Sequence, residues 1–238
     1  MVRVLWATSS SKLAIESVLA QDYDSFELLI VDDASKDDTV KMIQKYRRHP
    51  KVRIYFNPKN LGVGATRNKL VHLAKGEYIT PCDGDDLLLP GNLKRLSEIL
   101  DSYPRFGVVY ASVLVLDVDK ENKILKIPQI RGKNYKKAWD LMENVVNHPG
   151  SMIRKPLILK VGGYDETVYS VDDWSLWLRL AEVTKFKYLE NEIYYLWRRN
   201  PMSVTRVDRK FASDADKIIQ EAIQRRYGKN LPPEFDGH

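Results

Sequence analysis

Short apolar runs alternate with amphipathic, helix-length stretches from the first residue to about Glu192, and this alternation constrains the fold more than any other feature. Val2–Ala7, Phe26–Val31, Val52–Phe56 and Glu77–Pro81 read as strands rich in Val, Ile, Leu and Tyr. Between them, Lys12–Gln21, Asp37–Arg47 and Val63–Ala74 carry apolar residues at helical spacing. Strand and helix in this rhythm predict βαβ units, hence an α/β fold with a mostly parallel central sheet and helices on both faces. Ser35, with Asp38 three residues on, reads as a capping box for the second helix. A further helix is predicted over Gly91–Ser102, after Pro90, and a long apolar strand over Gly107–Leu116.

The second half is less regular. Lys120–Lys137 holds seven basic residues against one acidic and reads as an exposed hairpin or loop. Trp174, Trp177, Leu178 and Ala181 share one helix face. Ala215, Ile218, Ile219, Ala222 and Ile223 form another, on a C-terminal helix expected to pack back onto the sheet. Asn230–His238 reads as a frayed tail. Without internal repeats or a low-complexity linker, residues 1–238 are expected to form a single domain.

Composition removes several function classes. No window approaches the ~18 consecutive apolar residues of a membrane span. Cys82 is the sole cysteine, which excludes an internal disulfide and a cysteine-based zinc cluster. A soluble, cytoplasmic protein is expected. The net charge of +6 suits nucleic acid, an anionic membrane surface or phosphorylated small molecules. No basic helix is interleaved with aromatics, so nucleic acid is not expected.

Four segments can carry chemistry. Asp32 and Asp33 directly follow an apolar strand, where ligands of open α/β sheets bind, although acidic residues before a helix also serve as caps. Asn60-Leu61-Gly62-Val63-Gly64-Ala65-Thr66-Arg67-Asn68 fails as a dinucleotide fingerprint, because Arg67 occupies the place of the third glycine. It fits a tight loop feeding a helix N-terminus, with Arg67 one turn in and able to reach an anion. Pro81-Cys82-Asp83-Gly84-Asp85-Asp86-Leu87 concentrates three carboxylates within four residues. Gly84 permits a turn that aims Asp83 and Asp85 together, and oxygen-only ligands suit Mg²⁺ or Mn²⁺. The spacing is not that of an EF-hand, since position six is Leu88 and position twelve Lys94. Cys82 reads as a packed residue, being too soft a ligand for these cations. Asp172 and Asp173 open an amphipathic helix, which suits the helix dipole and equally suits a general base beside Trp174. His148 reads as a structural histidine, and Arg198, Arg199, Ser203 and Arg206 as phosphate clamps or surface residues.

In this order the segments resemble an inverting family 2 glycosyltransferase of the GT-A, Rossmann-like fold that uses a nucleotide-sugar donor. The resemblance runs from Val4 to about Arg206, and includes Ile15-Glu16-Ser17-Val18-Leu19-Ala20-Gln21, Gly162-Gly163-Tyr164-Asp165-Glu166 and Asp172-Asp173-Trp174. It implies a nucleotide-sugar-binding half over 1–118, an acceptor-binding and catalytic half over 119–206, and a C-terminal helix and tail over 207–238. Thr8, Asp32, Asn60 and Arg67 match positions that hold the donor, with a UDP-sugar favoured. Asp83 and Asp85 match the DxD pair that also contacts the donor. Asp85 is then the direct ligand of Mn²⁺ or Mg²⁺, joined by Asp83, with Asp86 a second-choice ligand. Asp173, beside Asp172, matches the base that deprotonates a glycan, lipid-linked or other hydroxyl acceptor. Position in the resemblance also makes the basic stretch an acceptor-side loop, suited to peripheral contact with an anionic membrane. The chain departs from the pattern in its short first loop, Thr8–Lys12, in Asp172 where Glu is usual, and in Asn200 where relatives often carry a histidine. A metal-dependent sugar-phosphate nucleotidyltransferase and a non-catalytic sugar-nucleotide or glycan-binding protein are the competing readings. The first is disfavoured because no Gly- and Lys-rich triphosphate loop follows the first strand.

Overall fold

The computed structural model describes residues 12–119, 123–126, 128–133, 146–199 and 210–228, and the backbone of 2–7. The strands are β1 (Val2–Ala7), β2 (Phe26–Asp32), β3 (Val52–Phe56), β4 (Tyr78–Asp83), β5 (Leu87–Leu88), β6 (Phe106–Asp117), β7 (Gln129–Arg131), β8 (Met152–Arg154) and β9 (Lys185–Arg199). The helices are α1 (Lys12–Leu19), α2 (Thr39–Gln44), α3 (Val63–Leu73), α4 (Asn92–Ser102), α5 (Lys155–Lys160), α6 (Asp172–Leu180) and α7 (Phe211–Tyr227).

All these strands join one sheet in the order β3-β2-β1-β4-β8-β6-β9-β5, with β7 paired to β6. Strands β1 to β4 are mutually parallel, as are β6 and β9, whereas β5, β7 and β8 run antiparallel to their neighbours. The mostly parallel sheet is therefore present, and its antiparallel strands β5, β7 and β8 all follow β4 in the chain.

Burial on both faces explains the continuous apolar runs. Every residue of β2 is buried. Leu28 and Ile30 pack with Ile15, Val18, Ile43 and Leu96, while Leu29 and Val31 point the other way toward a cluster with Leu70, Val71 and Trp177. Alternation of period two thus feeds two cores from one strand.

The cap expected for the second helix is replaced by other short-range hydrogen bonds. The capping box does not form, because Asp32 takes the Ser35 N–H at 3.2 Å and the chain turns at Ala34, whose φ is 62°. Asp38 makes no side-chain cap, and Asp37 instead accepts from the Thr39 N–H at 3.0 Å. Helix α7 meets the sheet through α6, where Arg226 donates to the Leu178 carbonyl at 3.2 Å, while Ala215, Ile218 and Ala222 join the core beneath.

The order β3-β2-β1-β4 positions the site. From β1 the chain winds outward to β2 and β3, then crosses back to place β4 on the other side of β1. Such a reversal opens a crevice at the carboxyl ends of the strands. Ala7, the last residue of β1, pairs with Val31 on one side and Asp83 on the other, so Asp32 and Asp83 flank that crevice.

Candidate active site

The corner after β2 separates two adjacent carboxylates by task. Asp33 is buried and accepts from the Asn57 amide at 2.8 Å, the Leu61 N–H at 2.9 Å and the Gly62 N–H at 3.0 Å. It therefore holds the loop that leads into α3. Asp32 is also buried; its Oδ2 accepts from the Ser35 N–H, whereas its Oδ1 has no hydrogen-bond partner among the described residues. An unpaired buried acceptor is costly, and a ligand N–H or hydroxyl arriving there would remove the cost. Asn60 is exposed, with its Oδ1 accepting from the Gly62 N–H at 3.1 Å. Thr8 lies outside the described residues, as do Asn200, Ser203 and Arg206.

Arg67, expected to reach an anion, bridges two carboxylates from distant parts of the chain. Its Nη1 lies 2.8 Å from Asp172 Oδ2 and its Nη2 lies 3.0 Å from Asp83 Oδ1. The Tyr164 ring sits beneath the guanidinium, 5.7 Å from its centre. Burial pulls the proton affinity of Arg67 down, but Asp172 and Asp83 outweigh it and hold the group well above its ordinary value.

The Asp83–Asp86 turn closes with an N–H from Asp86 to the Asp83 carbonyl at 3.1 Å. Both oxygens of Asp86 meet protein donors, the Tyr195 hydroxyl at 2.8 Å and the Arg198 N–H at 2.7 Å. The same Tyr195 oxygen accepts from the Asp83 N–H at 3.0 Å, and the Arg198 side chain donates to the Asp85 carbonyl. Strand β9 thus clamps the turn through Asp86, and Asp83 and Asp85 are left as the better placed of the three for an outside cation. Asp85 is partly exposed, and burial, then the charge of Asp83, raise its proton affinity. Burial likewise pushes Asp86 and the packed Cys82 thiol well up.

Among the described residues no three His, Cys, Asp or Glu side chains converge into a complete metal cage. The donor set nevertheless fits Mg²⁺ or Mn²⁺, which commonly take one or two carboxylates and fill their shell with water and substrate phosphates. The raised proton affinity of Asp85 beside the Asp83 charge is also what a divalent cation would relieve.

Asp172 and Asp173 occupy the first turn of α6. Asp172 is buried, and burial raises its proton affinity against the opposing pull of Arg67. Asp173 is half-buried and accepts from the Trp174 N–H at 2.7 Å. Burial, followed by the charge of Asp172, pushes Asp173 up to about 7. His148 is buried, bonded through Nε2 to the Tyr164 hydroxyl at 2.9 Å and packed on Trp177. Burial drives its proton affinity well down, so it is a neutral structural histidine, as expected.

Sequence reading passed over the residue that joins the two halves. Asn68 accepts from the Tyr164 N–H at 2.7 Å and donates to the Tyr164 carbonyl at 2.9 Å and to Glu166 at 2.7 Å. Gly163, at φ 77°, makes this approach sterically feasible, since a Cβ there would stand 2.4 Å from the Asn68 oxygen. The only available signal was adjacency to Arg67.

Residues 12–162 match the family model for glycosyl transferase family 2. The chain belongs to that family. An uncharacterized glycosyltransferase of Methanocaldococcus jannaschii is 30% identical over 80% of this chain and 68% of its own length. An uncharacterized protein of Sinorhizobium fredii is 29% identical over 92% of this chain, which spans only 24% of that relative. Among solved structures, S. aureus TarS 1-349 in complex with UDP-GlcNAc has a TM-score of 0.74 at 18% identity, covering 94% of this chain and 67% of TarS 1-349. The mannosyltransferase PcManGT of Pyrobaculum calidifontis, in complex with GDP-Man and Mn²⁺, has a TM-score of 0.60 at 16% identity, covering 82% and 56%. These likenesses establish the fold of this family 2 chain as GT-A. Among its described residues no helix is long and apolar enough to cross a membrane.

Proposed function

We propose that this family 2 chain transfers a sugar from a nucleoside-diphosphate sugar to an acceptor hydroxyl with inversion at the anomeric carbon, Asp173 acting as general base. One observation carries the reading: Arg67 draws Asp83, from the strand end beside the crevice, and Asp172, adjoining Asp173, onto a single guanidinium. Asp32, whose Oδ1 lacks a partner among the described residues, Asn60 and Arg67 hold the nucleotide, with Thr8 assigned there by resemblance. A UDP-sugar is the favoured donor, in line with the UDP-GlcNAc complex of TarS.

The Asp173 carboxylate takes the proton of the acceptor hydroxyl as that oxygen bonds to the anomeric carbon. The bond from this carbon to the diphosphate oxygen breaks on the opposite face, and its electron pair leaves with the nucleoside diphosphate. A base poised near 7 suits this transfer, because a substantial fraction is ionised near neutral pH and that fraction is strongly basic for a carboxylate. Asp172, tied to Arg67 at 2.8 Å, lies beside Asp173, and its charge adds to that basicity. Asp83 and Asp85 would hold Mg²⁺ or Mn²⁺, which when bound neutralises charge developing on the leaving diphosphate.

The test is nucleoside diphosphate release from a panel of sugar nucleotides, with and without chelator, for the wild-type protein and Asp85→Ala. Release that requires divalent cation and nearly vanishes in Asp85→Ala is expected. Full turnover in excess chelator would overturn the metal role, and silence with every donor and acceptor would overturn the reaction.

A further inference from the structure

The three most exposed large apolar side chains among the described residues are Ile130 at 67%, Ile124 at 65% and Leu125 at 58%, and all lie within seven positions of one another. They belong to the hairpin that follows β6. Soluble surfaces rarely gather such residues without a partner. The segment is not a loose loop: Val118 bridges Ile124, the Leu125 N–H donates to the Asp117 carbonyl at 2.8 Å, and Gln129–Arg131 pairs with Val113–Val115. At its root, the Tyr110 hydroxyl donates to the Lys133 carbonyl at 3.0 Å, and the Arg131 guanidinium lies over Trp197 at 5.6 Å.

Charge accompanies this apolar tip. Lys123, Lys126, Arg131 and Lys133 are exposed, and no acidic residue occurs between positions 123 and 133. At the root of the hairpin Asp117 binds Arg199 at 2.7 and 2.8 Å, and Asp119 accepts the Lys123 N–H at 2.8 Å. Cations interleaved with exposed aliphatic side chains match the interface of an anionic bilayer, where aliphatic groups enter the acyl boundary and cations meet lipid phosphates. A soluble polyanion would need the cations and leave the isoleucines unexplained.

We infer that this hairpin docks the protein on an anionic membrane surface and so directs it to an acceptor held there. The acceptor's location rests on the transferase reading; the docking itself does not. Lys120, Lys136 and Lys137, grouped with this basic stretch in the sequence, lie outside the described residues.

Co-sedimentation with phosphatidylcholine vesicles, with and without phosphatidylglycerol, tests the docking. Wild-type protein is expected to sediment only with the anionic vesicles, less so as salt rises. Ile124→Ser/Leu125→Ser/Ile130→Ser should lower partitioning about tenfold or more. Lys123→Gln/Lys126→Gln should lower it about fivefold per cation removed. Absence of wild-type binding overturns the proposal. So does undiminished binding by the serine variant, which would show that the exposed aliphatic side chains take no part in docking. Nucleoside diphosphate release without vesicles is followed in parallel. Loss of vesicle binding at unchanged release bears on the membrane surface alone, whereas silence with every donor counts against the transferase reading and leaves the vesicle result standing.

Discussion

The two acidic clusters of this protein treat crowded carboxylates in parallel but use different means. In the β4 turn, Asp86 is clamped by Tyr195 and the Arg198 N–H, while Asp85 stays partly exposed with raised proton affinity. At the start of α6, Asp172 is clamped by Arg67, while Asp173 stays half-buried and is pushed up to about 7. Each cluster therefore pairs a buried carboxylate clamped by the fold with a more exposed neighbour. The means differ because Asp86 is met by neutral donors, an O–H and an N–H, whereas Asp172 is met by a full positive charge. Neutral donors stabilise a turn locally. A cation shared with Asp83 also ties the two clusters to each other.

Removing that cation should break the comparison outright. Arg67→Ala leaves Asp172, whose side chain is 3% exposed, without its countercharge and frees Asp83 from the bridge. Deleting one partner of a buried pair costs about 3–5 kcal/mol, so the denaturant midpoint should fall steeply and transfer should be lost. The stability deficit should shrink at low pH, where Asp172 can neutralise itself by taking a proton. Arg67→Lys should recover only part of either, since an ammonium cannot fork to both carboxylates. A midpoint unchanged in Arg67→Ala would show that the bridge holds nothing together.

The second prediction sharpens the division within the α6 pair. Asp173→Asn keeps the shape and removes the basicity, so transfer should drop by ~10²–10⁴ with donor affinity nearly unchanged. Equilibrium binding of the nucleoside diphosphate, set beside turnover, checks both parts. A parallel loss of nucleotide binding would move Asp173 into the donor site.

Acidity supplies a third, smaller effect. Folded Asp173 keeps its proton up to about 7, whereas in the unfolded chain it ionises near its ordinary value of 3.8. Between those values the folded state binds more protons, so this group's contribution to stability falls as pH rises and levels off above about 7. Turnover should move the opposite way, rising with pH as the base ionises. Subtracting the pH dependence of Asp173→Asn from that of the wild-type protein isolates the slope, and identical profiles would refute the raised value.

Much of this was legible before any coordinates. Strand and helix alternation was strong because β2 and its neighbours are buried on both faces, so their apolar runs are uninterrupted. The carboxylates at the end of β4 stood out because three charges within four residues are unusual beside a buried strand. What escaped notice depends on contacts across long stretches of chain. Asn68 meets Tyr164 across 96 positions, and Tyr195 meets Asp86 across 109, so neither pair leaves a local pattern. The Ser35 capping box failed for a different, local reason, since the buried Asp32 carboxylate three residues earlier takes the same N–H. In the basic hairpin the charge was readable. The exposure of Ile124, Leu125 and Ile130 was not, because apolar residues in a strand-like pattern are ordinarily buried.

The smallest predicted effect tests the neutral clamp. Tyr195→Phe keeps the buried ring, whose packing involves the core beside Leu88 and Val113, and deletes only the hydroxyl. Asp86 then loses the donor at 2.8 Å, and the Asp83 N–H loses its acceptor at 3.0 Å. Leaving buried polar groups unpaired costs about 1–3 kcal/mol, below the loss expected for Arg67→Ala because no full charge is stranded without its counterion. Asp86 also keeps the Arg198 N–H, and burial already favours its protonated form, which softens the penalty. Turnover at saturating donor should change far less than in Asp173→Asn, since Asp83, Asp85 and Asp173 keep their side chains. The requirement for divalent cation should shift modestly, through loosening of the turn that carries Asp83 and Asp85. If Tyr195→Phe instead abolished transfer while leaving the denaturant midpoint unchanged, the Tyr195 hydroxyl would belong with the reacting groups, and its role as a structural clamp on Asp86 would fail.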